Sequence, residues 1–249
     1  MLKFSPANAK TRRLTTIPQL AKYLKGRKVY SLDLLSGWSC PGAKDCLSKV
    51  IIDNGKRKIK DGPHTQFRCF SASQEVLYPA VYNARKANFE AIKGKRAAAI
   101  RDMILRDLPR NCGILRYHVG GDFFSRYYLQ AAYAVALARP DVLFYGYTKA
   151  LNYLEYLNCD NLKVGQILPN FLITASRGGR YDRLIPLLGI RTATVVYNEN
   201  TRLPIDHTDS HAATKGGNFA LLIHGTQPAN TPAAAAWQKI KTTVGGYSK

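Results

Sequence analysis

The chain has 249 residues, and its 37 Lys and Arg against 16 Asp and Glu give a net charge of +21. This length is enough for one α/β domain with a full core, and the surplus charge favours a polyanionic partner. The sequence contains neither the long apolar run of a membrane span nor the apolar segment of a signal peptide. We expect a soluble cytoplasmic protein with one domain over 1–249, divided into a basic N-terminal arm (1–15), a core (28–230) and a closing helix with a tail (231–249).

The first predicted strand is Val29–Leu35, which is apolar and leads into a loop containing two cysteines. A basic, turn-like excursion over Val50–Gly62 follows this loop. A helix is then predicted from about Ser71, because Ser71 and Gln74 have the spacing of a capping box and apolar residues recur at helical intervals as far as Ala87.

Further runs rich in β-branched and aromatic residues predict five more strands: Ile114–Val119, Val142–Tyr147, Phe171–Ala175, Thr192–Tyr197 and Phe219–His224. Helical patterns lie between or after them, at Tyr127–Ala138, Asn152–Leu157, Tyr181–Leu188 and Ala233–Thr243. The strands are apolar nearly throughout, as expected for strands covered on both faces. The pattern therefore predicts an α/β fold with a mostly parallel sheet.

Three of the five cysteines, Cys40, Cys46 and Cys69, have surroundings typical of ligands. Cys40 and Cys46 share a loop with glycine, proline and charged residues, where a buried apolar cysteine is unusual. Cys112 and Cys159 fit the ordinary interpretation of small buried side chains. An odd number of cysteines without a secretory signal argues for reduced thiols that are available to a metal.

Three thiolates can hold a [4Fe–4S] cluster, with the fourth iron either open or bound by a further ligand such as His64 or His118. Zinc in a Cys₃His site is the rival metal. The short Cys-x-x-Cys knuckle common in structural zinc sites is absent from the sequence, so we favour iron–sulfur. The segment 206–211 also has metal-ligand residue types, although a surface loop with capping side chains explains it better.

Polar and glycine-rich residues follow the predicted strands, at the edge where parallel α/β sheets place their sites. Glycine lets the backbone approach a ligand closely, and N–H groups there hold anions. Arg177 and Lys149 are candidates for an anionic group, or for pairing with carboxylates. We expect a pocket at the mouth of the fold lined by His118, Gly120, Gly121, Asp122, Lys149, Ser176 and His224.

Several blocks resemble the phage protein family known as gene product 88 over nearly the whole chain. These are 36–43 with Cys46, 67–69 running into 73–75, 118–125, 147–149, 174–179, and 219–225 followed by 227–229. The resemblance implies a phage-encoded protein in the cytoplasm of the host cell. It does not imply a particular chemistry.

The architecture also resembles, more loosely, the radical-SAM enzymes, whose partial (βα)6 barrel binds a four-iron cluster through three cysteines after the first strand. That resemblance implies a partial TIM-like barrel, with Gly120-Gly121-Asp122 placed like the turn that holds the amino group of S-adenosylmethionine. The cysteine spacing departs from the pattern, because the third cysteine, Cys69, lies 23 residues after Cys46 in the sequence. We therefore keep S-adenosylmethionine as a second candidate cofactor beside the cluster. An iron–sulfur enzyme is kept as a candidate activity.

Basic clusters at 25–28, 56–60, 85–86 and 93–96 predict salt-dependent, nonspecific contact with nucleic acid, or simply a soluble surface. The alternative to an iron–sulfur protein is thus a zinc-stabilised basic module that binds nucleic acid without catalysis. A virion-associated or host-interaction protein with a vestigial site is a third class.

Overall fold

A computed structural model describes residues 1–158, 168–214 and 216–243 of the chain. Its strands, numbered along the sequence, are β1 (Phe4–Pro6), β2 (Lys28–Leu32), β3 (Ser48–Asp53), β4 (Lys56–Asp61), β5 (Cys112–Tyr117), β6 (Leu143–Thr148), β7 (Phe171–Ser176), β8 (Thr192–Val196) and β9 (Phe219–Leu222). β3 and β4 form a separate hairpin. The other strands form one seven-stranded sheet in the order β1-β2-β5-β6-β7-β8-β9.

The six predicted strands are all present, and each is parallel to the next one along the chain. The mixed α/β fold with a mostly parallel sheet is therefore confirmed. β2 ends earlier than predicted, at Leu32, and the buried residues Leu34 and Leu35 continue as irregular chain. A run of apolar residues without apolar–polar alternation in the sequence does not distinguish such a buried segment from a strand.

The helices are α1 (Ala9–Arg12), α2 (Ala21–Leu24), α3 (Phe70–Leu77), α4 (Pro79–Ile92), α5 (Ala97–Asp107), α6 (Arg126–Ala138), α7 (Leu151–Asn158), α8 (Ile185–Leu188), α9 (Ser210–Ala213) and α10 (Pro232–Thr243). α4 to α8 cover one face of the sheet, where they pack against Leu115, Tyr117 and Phe144. The opposite face, with Ile114 and Leu143, packs against α2 and α9. Both faces are thus buried, which explains why the strands are apolar on both sides.

The N-terminal residues, expected to form a basic arm over 1–15, are instead part of the folded body. β1 pairs antiparallel with β2, with Phe4 opposite Leu32. Leu14 is fully buried in the core on the α9 side of the sheet, and Lys10 forms a 2.9 Å ion pair with Asp209. The composition of this segment is basic, but its few apolar residues are spaced so that they cover the sheet.

The excursion expected at Val50–Gly62 is the β3–β4 hairpin, in which Ser48 lies opposite Asp61 and Asp53 lies opposite Lys56. Asn54 and Gly55 have positive φ and form the two-residue turn, as this dipeptide favours. The hairpin returns the chain to its starting point, since the Gly62 N–H donates to the Leu47 carbonyl at 2.6 Å.

The single helix expected from Ser71 to Ala87 is two helices. α3 is preceded by Cys69 as its N-cap residue, and the Ser71–Gln74 capping box does not form. Tyr78 is extended and Pro79 begins α4. Proline lacks an N–H and disfavours helical geometry in the residue before it, so the helix breaks there. None of the helices in the described part of the chain has the length and apolar character to cross a membrane.

Candidate functional site

The loop that contains Cys40 and Cys46 leaves the sheet after β2 and docks on the segment that follows β7. The Asp45 N–H donates to the Gly178 carbonyl at 3.0 Å, and the Arg180 N–H donates to the Gly42 carbonyl at 2.8 Å. Within the loop, the Cys40 sulfur accepts from the Gly37 N–H at 3.4 Å. The ends of two parallel strands therefore fix the position of both cysteines.

The segment that contains Cys69 is brought to the same place by the β3–β4 hairpin. The Asp45 carbonyl accepts from the N–H groups of Gln66 at 2.7 Å and Phe67 at 3.1 Å. The buried Gln227 side chain accepts from the Arg68 N–H at 2.7 Å and donates to the Arg68 carbonyl at 3.0 Å. Thus the long spacing between Cys46 and Cys69 is occupied by a hairpin that closes on itself.

The three thiols lie close enough to influence one another. Burial, then Asp122, then the other two cysteines raise the pKa of Cys40 well above its usual range. Burial and Cys46 raise the pKa of Cys69 to about 12, against the backbone N–H groups of Ser71 and Ala72 at the start of α3. Burial also raises the pKa of Cys46, although Lys149 lowers it. Without a cation, all three thiols are therefore protonated at neutral pH.

The three cysteines are partly exposed and none forms a disulfide, whereas Cys112 is buried in the helix-covered core. Over residues 1–158, 168–214 and 216–243, no three or more His, Cys, Asp and Glu side chains are arranged to hold a single metal ion. Cys159 lies outside the described residues. The three thiols affect one another's pKa, but in the described residues they do not form a site for one metal ion.

Asp122 lies beside these cysteines, at the end of the glycine turn that follows β5. Its carboxylate accepts hydrogen bonds from the Thr148 hydroxyl at 2.6 Å and from the N–H groups of Phe123 at 2.7 Å and Lys149 at 2.8 Å. Burial raises the pKa of Asp122 to about 6 despite these bonds. The carboxylate is held rigidly and is mostly charged at neutral pH.

Lys149 and Ser176 are brought together as expected. The Lys149 ammonium donates to the Ser176 hydroxyl at 2.6 Å and to the carbonyls of Ser176 at 3.1 Å and Arg177 at 2.5 Å. The Arg177 side chain itself is exposed. Lys149 therefore places a buried positive charge beside the cysteines. The hydrogen bonds of its ammonium group go to residues at the end of β7.

The glycines Gly120 and Gly121 leave room for the protein's own chain. A Cβ at Gly120 would overlap the Ser71 hydroxyl, and one at Gly121 would lie 2.6 Å from the Ser39 hydroxyl and 2.7 Å from the Leu34 Cβ. Gly121 also has a φ of +95°. The turn at Gly120 and Gly121 was expected to let the backbone approach a ligand closely. The cysteine loop packs on this turn instead.

The histidines expected near the site are separated from one another. His118 lies in an aromatic cluster on the helix side, where its Nε2 is 2.8 Å from the Tyr128 hydroxyl, and burial lowers its pKa to about 3. His224 lies 4.5 Å, ring centre to ring centre, from Phe70, the residue after Cys69, and burial lowers its pKa to about 4. His64 is exposed.

Glu75 is a buried residue of the site region that the sequence analysis did not single out. One carboxylate oxygen accepts from the Ser36 N–H and hydroxyl, at 3.0 and 2.8 Å, and from Arg85 at 3.0 Å; the other has no hydrogen-bond partner. Glu75 is close enough to raise the pKa of Cys69. Arg85, which was expected in a surface basic cluster, is buried in this pair.

A second polar cluster lies on the sheet face that α9 covers. Asp209 pairs with Arg116 and Lys10, and it accepts from the hydroxyls of Tyr145 and Tyr147 at 3.2 Å each. Although burial raises the pKa of Asp209, Arg116 and Lys10 bring it down to about 2.

For the segment 206–211 the predicted capping is confirmed, but the predicted surface loop is wrong, because Asp206 and Asp209 are buried. The Asp206 carboxylate accepts from the backbone N–H groups of Thr208, Ser210 and His211, at 3.0 to 3.1 Å.

Comparison with known proteins gives one match. The model of the family described as Gene product 88 matches residues 2–241. No curated protein and no solved structure matches the chain, and the resemblance to radical-SAM enzymes has no support from these comparisons. The family model covers nearly the whole chain, as the sequence blocks predicted. The chain therefore belongs to the gene product 88 family of phage proteins.

Proposed function

We propose that this protein binds an iron–sulfur cluster through Cys40, Cys46 and Cys69. The observation that carries the proposal is that three thiols from two separate segments lie close enough to raise one another's pKa, beside the turns that follow the parallel strands. Thiolates are the protein ligands of such clusters. The fourth cysteine of the described chain, Cys112, lies in the core and takes no part.

A cluster fits this donor set better than one ion. In a multi-iron cluster each thiolate binds a different iron, so the sulfur atoms stay farther apart than around one zinc. The three thiols lie close enough to raise one another's pKa, and a cluster accommodates them without the tight spacing that one ion needs. The Asp45 carbonyl accepts from the N–H groups of Gln66 and Phe67, and the Asp45 N–H donates to the Gly178 carbonyl, so the two cysteine segments are held together and against the segment after β7.

The electrostatic surroundings support a cationic metal core. Burial and mutual repulsion keep the thiols protonated in its absence, whereas a coordinating metal deprotonates a thiol outright. The resulting thiolates would face the Lys149 ammonium and the N–H groups at the start of α3. Both are fixed positive groups that compensate the negative charge of the cluster.

Three protein thiolates leave one iron open in a four-iron cluster. His118 is not presented as a fourth ligand, because its Nε2 is 2.8 Å from the Tyr128 hydroxyl. An open iron is the position where a substrate or a small cofactor binds. The cluster is therefore suited to chemistry on a bound molecule, with the reaction unassigned.

We also infer that the six parallel strands form an open, partial barrel. Their spatial order follows the chain order without reversal, and α4 to α8 pack on one face. α4 to α8, which lie between β2 and β8 along the chain, are all on one side of a sheet wound in one direction, as in a barrel, although α9 lies on the other side; a doubly wound sheet reverses its order. The cysteine loop then lies at the barrel mouth, after the first parallel strand.

The experiment compares the visible spectrum of anaerobically purified wild-type protein with single Cys→Ala variants. Wild-type protein should show the broad visible absorption that arises from sulfur-to-iron charge transfer. This absorption should be absent from Cys40→Ala, Cys46→Ala and Cys69→Ala. Cys112→Ala is the matched control and should keep it. A colourless wild-type protein, after reconstitution with iron and sulfide as well, would overturn the proposal.

A further inference from the structure

The solvent side of the β3–β4 hairpin is a row of lysines. Lys49 lies opposite Lys60, Ile51 opposite Lys58, and Asp53 opposite Lys56. Cross-strand partners and alternate residues share a face, so four lysines lie together. The other side of the hairpin holds the buried Val50 and packs against α3.

Trp38 extends this face toward the cysteine loop. Its indole N–H donates to the Val50 carbonyl at 2.8 Å, which anchors the ring at the hairpin. The Lys49 ammonium lies 4.2 Å from the ring centre. The Trp38 side chain is nevertheless 48% exposed, so a large aromatic ring stands beside the lysines in solvent.

The charge of the face is strongly one-sided. Asp53 pairs with Lys58 at 2.6 Å and is the single acidic hairpin residue on this face, since Asp61 is at a position of the other face. Lys56, Lys58 and Lys60 are exposed, and alternate strand residues place them about 6–7 Å apart. A row of ammonium groups ending at an exposed ring is complementary to a chain that has both phosphates and planar groups.

We propose that Trp38, Lys49, Lys56, Lys58 and Lys60, here called the hairpin face, bind single-stranded nucleic acid. The ammonium groups contact phosphates and the indole stacks on a base, a combination that gives sequence-tolerant binding of single strands. A duplex offers phosphates but keeps its bases stacked inside, so it would use the lysines without the ring.

The hairpin face is next to the cysteine centre, since Trp38 precedes Cys40 by two residues. A strand bound there would run past the loop that holds Cys40 and Cys46. The proposal does not rest on the cluster, because the lysines and the indole contact the strand whether or not a metal is bound. A negative result for iron therefore leaves this proposal standing.

The experiment measures the fluorescence anisotropy of a labelled single-stranded oligothymidine of about 20 nucleotides, titrated with the full protein. Binding should be salt-dependent, because each phosphate contact releases counterions. Four contacts predict that affinity falls about 50-fold between 50 and 200 mM salt. A duplex of the same length should bind more weakly.

Two sets of variants locate the contact. Lys56→Glu, Lys58→Glu and Lys60→Glu combined should lower the affinity at least tenfold and flatten the salt dependence. The control reverses Lys86, Lys93 and Lys95, which are exposed elsewhere, with an equal change in net charge. Trp38→Ala should lower the affinity about tenfold, while Trp38→Phe keeps a stacking ring and most of the affinity.

Three results would each overturn the proposal. The first is no binding at low salt. The second is an equal loss from the two triple variants, which would make the effect one of net charge. The third is binding to anionic phospholipid vesicles without binding to the oligonucleotide, which would assign the hairpin face to a membrane surface. Circular dichroism of every variant verifies that it is folded.

Discussion

The backbone N–H of Lys149 donates to the Asp122 carboxylate at 2.8 Å, so the turn after β5 and the end of β6 are joined beside the cysteines. The two side chains carry opposite charges at this point. Asp122 raises the pKa of Cys40, and Lys149 lowers the pKa of Cys46. The two charges would shift the reduction potential of a redox centre held by these cysteines in opposite directions.

The reduction potential of the proposed cluster should therefore move in opposite directions in two variants. Lys149→Met removes a positive charge and should make the potential more negative. Asp122→Asn removes a negative charge and should make it more positive at pH 8, above the pKa of about 6. Spectroelectrochemical titration of the anaerobic proteins measures both shifts.

Lys44→Met is the control for this pair, since Lys44 lies in the same loop but is exposed. Solvent and salt screen an exposed charge, so its removal should shift the potential much less. Shifts of the same sign in the Asp122 and Lys149 variants, or an equal shift in the Lys44 variant, would place the centre elsewhere.

Gly121→Ala should destabilise the protein by about 2–4 kcal/mol, because the new Cβ meets Leu34 and Ser39 and the backbone is left-handed. Gly217→Ala, where a Cβ would meet open space, should change the stability by about 0.5 kcal/mol or less. Urea unfolding gives both values. Equal effects would show that the packing of the cysteine loop on the turn is unimportant for stability.

His118 should make the stability depend on pH. Its folded pKa of about 3 lies below the ordinary value of 6.5, so its contribution is complete above pH 6.5 and is lost as the pH falls toward 3. Relative to His118→Phe, the wild-type protein should lose about 2 kcal/mol of unfolding free energy between pH 6.5 and 5. Denaturation across this range tests it, and parallel curves would exclude a buried neutral histidine.

Asp209→Asn should cost about 3–5 kcal/mol, since it leaves the buried Arg116 guanidinium without its carboxylate. Asp141→Asn is the matched control. Asp141 pairs with Arg27 and Arg139 at 2.6 and 2.8 Å, but at the surface, where such pairs are worth about 1 kcal/mol or less. Thermal unfolding compares the two, and similar losses would contradict a structural role for the buried pair.

The sheet could be predicted from the sequence because its strands are short, apolar and separated by helical patterns. The six parallel strands follow from that pattern, and their carboxyl ends bring Asp122, Lys149 and Ser176 together as expected. β1 was missed, and the β3–β4 hairpin was predicted only as a turn-like excursion. β1 has three residues, and β4 is Lys-Arg-Lys-Ile-Lys-Asp, whose charged composition indicates a surface excursion.

The partners of the polar residues could not be predicted, because they depend on contacts between distant segments. His118 follows an apolar strand like the other site residues, yet it turns toward Tyr128 on the helix side. Arg85 belongs to a basic run in the sequence, yet Glu75 buries it. Periodicity fixes the element a side chain lies on but leaves open the neighbour that satisfies it.

The most direct test of the proposed cluster is the content of iron, acid-labile sulfide and zinc in wild-type protein purified without oxygen. The account predicts about four irons and four sulfides per chain, negligible zinc, and loss of the iron in Cys40→Ala, Cys46→Ala and Cys69→Ala but not in Cys112→Ala. One zinc per chain without sulfide, or a folded protein with neither metal, would contradict it.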